Sequence, residues 1–167
     1  MTPTVRTWLA FAAVGAGLIH LALALGAPPA LAAVLAIVGG AEFLFGLATI
    51  AAGRLPAPRA VLVGALTPTA LWILGILALD NEPALRVLPL AISSLFEFFS
   101  AAAIAVFLRR ERDGTTQPSA SAGRHPLRRI IAGGLVIAAL TLGALAATSA
   151  ADFVAPDGSF TDEHEPH

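Results

Sequence analysis

Three ionisable side chains stand inside apolar stretches of this chain: His20, Glu42 and Glu97. A charge at the bilayer centre costs about 2.5–3.5 kcal/mol on the insertion scale, so such groups face a partner, a water-filled cavity or a bundle interior. An imidazole adjacent to a pair of acids has two chemistries open to it. Neighbouring carboxylates do not both ionise readily, and the proton they retain can be relayed by the ring. The same donors, one nitrogen and carboxylate oxygens, can instead hold a divalent metal ion. A structural reading stands beside both, in which a protonated Glu hydrogen-bonded to His or Ser fixes the packing. Such a bond contributes only about 1 kcal/mol, which offsets the insertion cost poorly.

Spacing puts the three groups in one layer. Glu42 lies twelve residues before Arg54, and Glu97 twelve before Arg109. At about 1.5 Å per residue, each is about 18 Å from the arginine that ends its helix. His20 is fourteen residues after Arg6, about 21 Å by the same rise. The stripes around them point inward. Ser93, Glu97 and Ser100 fall at i, i+4 and i+7, and the two serines join the candidate proton- or cation-binding set. Gly39, Glu42, Gly46, Thr49 and Gly53 share one face, and Ala13, Gly17, His20 and Ala24 share another; small residues of this kind permit close helix approach. Thr67-Pro68-Thr69 falls in mid-helix, where proline frees a carbonyl for a threonine or a water.

The elements that must carry these residues are helices. Of 167 residues, 57% are hydrophobic and 13% charged, with a mean hydropathy of +0.81, whereas a globular domain carries about 25% charge. So few charges cannot coat a soluble particle of this size. Five stretches reach the roughly 20 residues needed to span a bilayer: Thr7–Leu25, Ala30–Ala52, Arg59–Leu79, Arg86–Leu108 and Arg129–Ala151. Gly26-Ala27-Pro28-Pro29, Gly53–Pro58 and Asp80-Asn81-Glu82-Pro83 interrupt them with turn chemistry. The expected fold is therefore all-α, a polytopic membrane bundle of five transmembrane helices over residues 1–151. It includes a flexible cytoplasmic loop at 109–128 and is followed by an acidic, His-containing tail at 152–167.

Arginine placement orients the bundle. Nine of the ten arginines, all but Arg86, fall before helix 1, in the second connection or in the fourth. Cytoplasmic loops carry the excess of basic residues, which places the N-terminus inside and the tail outside. The use of arginine alone, with abundant Ala and Gly, points to a bacterial cytoplasmic membrane. Arg6, the apolar run and Ala22-Leu23-Ala24 also resemble a cleaved signal, but the run is long for one and holds His20. Trp8 is read as an interfacial anchor and Trp72 as core packing. Shifting the sequence by 55 residues lays Glu42-Phe43 on Glu97-Phe98, Ala48 on Ala103 and Arg54 on Arg109. That pairing raises a parallel repeat of two hairpins, helices 1–2 and 3–4, with helix 5 appended; alanine-rich helices also match by coincidence.

Other chemistries are poorly served. A net charge of −1 without a basic face argues against nucleic acid, and the absence of cysteine removes disulfides and thiolate sites. There is no His-Glu-x-x-His, no Gly-x-Ser-x-Gly and no phosphate loop, so an enzyme is not expected. His20 as the lone intramembrane histidine rules out a two-His haem within one chain. In the tail, His164, His167 and Glu163 could capture a metal ion, although their spacing matches no structural-zinc pattern and a solvated acidic arm explains them as well. The arginine-rich loop, with His125, can attract anionic lipid headgroups. Two functions are expected. One is a transporter or metal-handling component using the intramembrane His/Glu cluster. The other is a non-catalytic accessory subunit packed against a larger membrane complex. A bundle this narrow suits a homo-oligomer or a larger assembly in the lipid bilayer under either.

Overall fold

The computed structural model describes residues 1–78, 87–114 and 126–148, and these form five α-helices with no strand among them. They are α1 (Pro3–Ala24), α2 (Pro29–Ala52), α3 (Pro58–Ala78), α4 (Val87–Arg112) and α5 (Pro126–Ala146). The helix starts follow local chemistry. Thr2 caps α1 by accepting a bond from the Val5 amide, with Pro3 in the first turn, where proline's missing donor costs nothing. Pro29, Pro58 and Pro126 open α2, α3 and α5 in the same manner. Gly53 closes α2 at φ 60°, the left-handed conformation for which glycine has no steric penalty.

The ends shift from those expected. α1 begins at Pro3 rather than Thr7, because Thr2 and Pro3 supply a start signal outside the apolar run. α4 continues past Leu108 to Arg112, with three arginines in its last turn, where cations are favoured by the exposed carbonyls. α5 starts at Pro126 and ends at Ala146. The third connection at Asp80–Pro83 with Arg86, the loop segment holding Arg124 and His125, and the tail with Glu163, His164 and His167 lie outside the described residues.

α1 is the hub. It packs on α2, α4 and α5, while α3 packs on α4. Contacts fix the directions: Gly17 meets Gly39 and Phe43 while Ala10 meets Gly46, so α1 and α2 run antiparallel. Trp8 meets Gly133 and Gly15 meets Thr141, so α1 and α5 run parallel. The core is assembled from Ala12, Ala16 and Ile19 of α1, Phe96 of α4 and Ala144 of α5. Outer faces carry exposed Ile37, Leu44, Val63, Leu95, Phe98, Leu135 and Leu142. The polarity of a soluble fold is thus inverted, with ionisable groups inside and large apolar groups outside. Four helices, α1, α2, α4 and α5, are long and apolar enough to cross a bilayer; in α3 the apolar stretch runs over Pro58–Ile73. The molecule is built as a multi-pass membrane helix bundle.

Tight crossings place the helices. A Cβ on Gly17 would fall 2.6 Å from the Gly39 carbonyl oxygen, and one on Gly39 2.7 Å from that of Gly17. A Cβ on Gly46 would lie 2.7 Å from the Ala10 oxygen. These glycines lie on the expected small-residue faces of α1 and α2, and Gly39, Gly46 and Thr49 are the buried residues of α2. Trp8, expected at the interface, is half-buried against Gly133 of α5, with its indole nitrogen buried and lacking a hydrogen-bond partner among the described residues.

Candidate functional site

The α1–α2 crossing sets the first half of the site. Across this antiparallel pair His20 packs beside Gly39, and Phe43, the neighbour of Glu42, packs beside Gly17, so the glycine contact brings the two backbones close enough for the side chains of His20 and Glu42 to meet. His20 Nδ1 and Glu42 Oε2 share a hydrogen bond of 2.7 Å. The hydrogen belongs to Nδ1 when the carboxylate is ionised and to Oε2 when it is neutral. A contact of this length is within the range over which an imidazole and a carboxylate can exchange a proton.

The second half comes from α4 and α3. Glu97 Oε1 lies 3.5 Å from His20 Nε2, so the imidazole sits between the two carboxylates with one ring nitrogen toward each. Thr69 of α3 donates its hydroxyl to Glu97 Oε2, and Ser94 lies 3.4 Å from that hydroxyl. Glu97 Oε1 itself is buried and has no hydrogen-bond partner among the described residues. His20 and Glu97 are almost wholly enclosed, and Glu42 is mostly so. One ligand atom from each of the three lies within 4.8 Å of the others, a separation small enough for a metal ion. The ring, however, spends one nitrogen on each acid, whereas a histidine ligates a single ion through one nitrogen. As it stands, the arrangement suits a shared proton better than three convergent ligands.

Two cavities adjoin the cluster. The larger, about 420 Å³, lies between α2 and α3 and is lined by Glu42 and Glu97 together with Ala16 of α1, Gly64 and Pro68 of α3 and Ser100 of α4. The smaller, about 80 Å³, is lined by His20, Leu35, Leu71, Trp72, Leu90, Ser93 and Ser94. Val38 and Pro68 belong to both linings. Along every helix that contributes, the larger cavity is toward the end where α1 begins and the smaller toward the end where α1 finishes. The carboxylates therefore face one cavity and the imidazole the other.

Each residue expected at the site has a definite place. His20, Glu42 and Glu97 come together. Ser100 is buried on the larger cavity. Ser93 is buried on the smaller one and donates to the Leu90 carbonyl rather than to Glu97. The direct partner of Glu97 on α3 is Thr69, and Thr67 bonds back to the Val63 carbonyl. Thr69 could have been found as the polar side chain beside Pro68 in an otherwise apolar span; helical spacing alone does not say which of the two threonines faces α4. The two hairpins share a feature: each glutamate bonds to the preceding helix, Glu42 to His20 and Glu97 to Thr69. No protein family, curated protein or solved structure matches this chain.

Proposed function

We propose that the protein handles protons inside a membrane, as a transporter whose exchange site is His20 with Glu42 and Glu97. One observation carries the reading: an enclosed imidazole bridges two carboxylates at a partition between two cavities. A proton taken up by either carboxylate from the larger cavity passes to the ring. Reorientation of the ring then offers it to the smaller cavity. Glu42 and Glu97 act as acceptors on one side, His20 as the carrier, and Thr69 holds Glu97 in place. Structural glue alone explains the cluster less well, since one hydrogen bond per acid offsets only part of the insertion cost.

The arginine distribution further supports a cytoplasmic N-terminus in a bacterial cytoplasmic membrane, which puts the larger cavity on the cytoplasmic side. Labelling of Thr2→Cys and His167→Cys from each side of intact cells tests that orientation.

Proton flux in proteoliposomes under an imposed pH gradient tests the function. Wild type is expected to dissipate the gradient, with loss in Glu97→Gln, Glu42→Gln and His20→Phe. No flux in wild type, or unchanged flux in all three variants, refutes the reading and returns the chain to the class of accessory subunits. Divalent-cation flux in place of proton flux would make the cluster a metal path.

A further inference from the structure

The larger cavity has a shape and chemistry that proton exchange does not require. Its volume of about 420 Å³ is within the roughly 300–1,000 Å³ of small-molecule sites, which are mostly apolar with a few convergent polar groups. Here Ile37, Phe45, Val61 and Phe96 supply apolar walls, and among the described lining residues none is basic. Glu42 and Glu97 are the charges that face it, and the buried Glu97 Oε1 has no hydrogen-bond partner among the described residues. The cleft is open where α2 and α3 part. Each of these helices packs on another neighbour, α2 on α1 and α3 on α4, rather than closely on the other. A cleft of this kind in the side of a membrane bundle is reached from the acyl chains.

We propose that the α2–α3 cleft binds an organic cation with a lipophilic body, its charge against Glu97 and Glu42 and its apolar groups against Phe45, Phe96, Val61 and Ile37. A bare metal ion would leave most of this volume without contacts, and an anion would meet two acids. Phe45 and Phe96 contribute aromatic surface to the lining, which a cation tolerates better than an anion does. The proposal deepens the proton reading and rests on it for one property, competition between ligand and proton for the same oxygens. The ionisable groups around those oxygens are His20 from α1, Glu42 from α2 and Glu97 from α4. On the described side chains of α3 the nearest polar groups are Thr67 and Thr69, and the span of α5 from Ile130 to Ala146 has no ionisable residue.

The test uses the full chain in detergent micelles, titrated with tetraphenylphosphonium and with its isosteric anion tetraphenylborate, with empty micelles subtracted. Saturable binding of the phosphonium, not the borate, is expected, weakening as pH falls. Glu97→Gln should weaken it by about tenfold or more, as for loss of a buried charge partner. Gly64→Phe should abolish it, because Gly64 lines the cleft and a Cβ there meets nothing within 4 Å, leaving room for a ring that fills the site. A single symmetric elution peak and a thermal melt close to that of wild type show that Gly64→Phe folds; Gly64→Leu is the milder block. Equal binding of both ions, or phosphonium affinity unchanged in Glu97→Gln and Gly64→Phe, overturns the proposal. Phosphonium binding that disappears in these variants but is independent of pH in wild type supports the cleft and overturns the proton competition instead.

Discussion

Replacing Gly39 by alanine puts one methyl group into the α1–α2 crossing, one turn from Glu42 and against the backbone side of His20. The new Cβ would lie 2.7 Å from the Gly17 oxygen, 2.9 Å from His20 Cβ and 3.0 Å from the Leu21 amide nitrogen, where ordinary contact starts at 3.4 Å. The helices must separate by the difference of about 0.7 Å, since close-packed interiors do not absorb such an overlap. Adding that displacement to the 2.7 Å between His20 Nδ1 and Glu42 Oε2 carries the pair to about 3.4 Å, past the roughly 3.2 Å limit of a good N–H···O bond. Overpacking costs about 1–3 kcal/mol, and the weakened interhelical bond about 1 kcal/mol more. The helix preference of alanine returns about 0.5–1 kcal/mol. The net loss is therefore about 1–3.5 kcal/mol, several degrees in melting temperature for a chain of this length. Gly40→Ala is the matched control, because a Cβ at Gly40 meets nothing within 4 Å. The assay is thermal unfolding in detergent beside proton flux in proteoliposomes. Gly39→Ala is expected to melt lower than Gly40→Ala and to lose flux although no ionisable group has changed. Equal melting and equal flux in the two variants would refute the claim that this glycine contact sets the site.

Three further outcomes follow from particular contacts. Thr69→Ala removes the hydroxyl that Glu97 Oε2 accepts, and leaving a buried acceptor unpaired is expected to cost about 1–3 kcal/mol. Thr69→Ser should restore both stability and flux, and equal behaviour of the two variants would deny the bond a role. Gly133→Ala drives a methyl into the Trp8 indole, whereas Gly143→Ala enters open space; thermal melts should fall for the first only. Because each nitrogen of His20 is turned to a different carboxylate, chelation with EDTA should leave flux unchanged. A stoichiometric metal found by elemental analysis in wild type and lost in His20→Phe would contradict that.

The spans and the common layer of the three ionisable groups were legible from residue order alone. Both depend on distance along a helix, which is a fixed rise multiplied by a residue count. The small-residue faces of α1 and α2 were legible too, since Gly17, His20, Gly39 and Glu42 repeat at helical spacing. That Glu97 turns to Thr69 and to the second nitrogen of His20 was not. It depends on the relative rotation of α1, α3 and α4, and three apolar helices offer several rotations that look alike in a sequence. Ser93 illustrates the point: one turn before Glu97, it satisfies a carbonyl of its own helix and faces the smaller cavity.

Composition and order thus determined a helix bundle of membrane type, where its apolar helices fall and that its three ionisable residues share one level, because a bilayer imposes one length and one polarity on every crossing segment. Tertiary structure alone decided that α1 is the hub, that the imidazole stands between the two acids, and that α2 and α3 part to leave a cleft. A cavity is the space left by several helices at once. No single segment encodes it, and it takes form only when the glycine crossings fix how near each helix comes to the next.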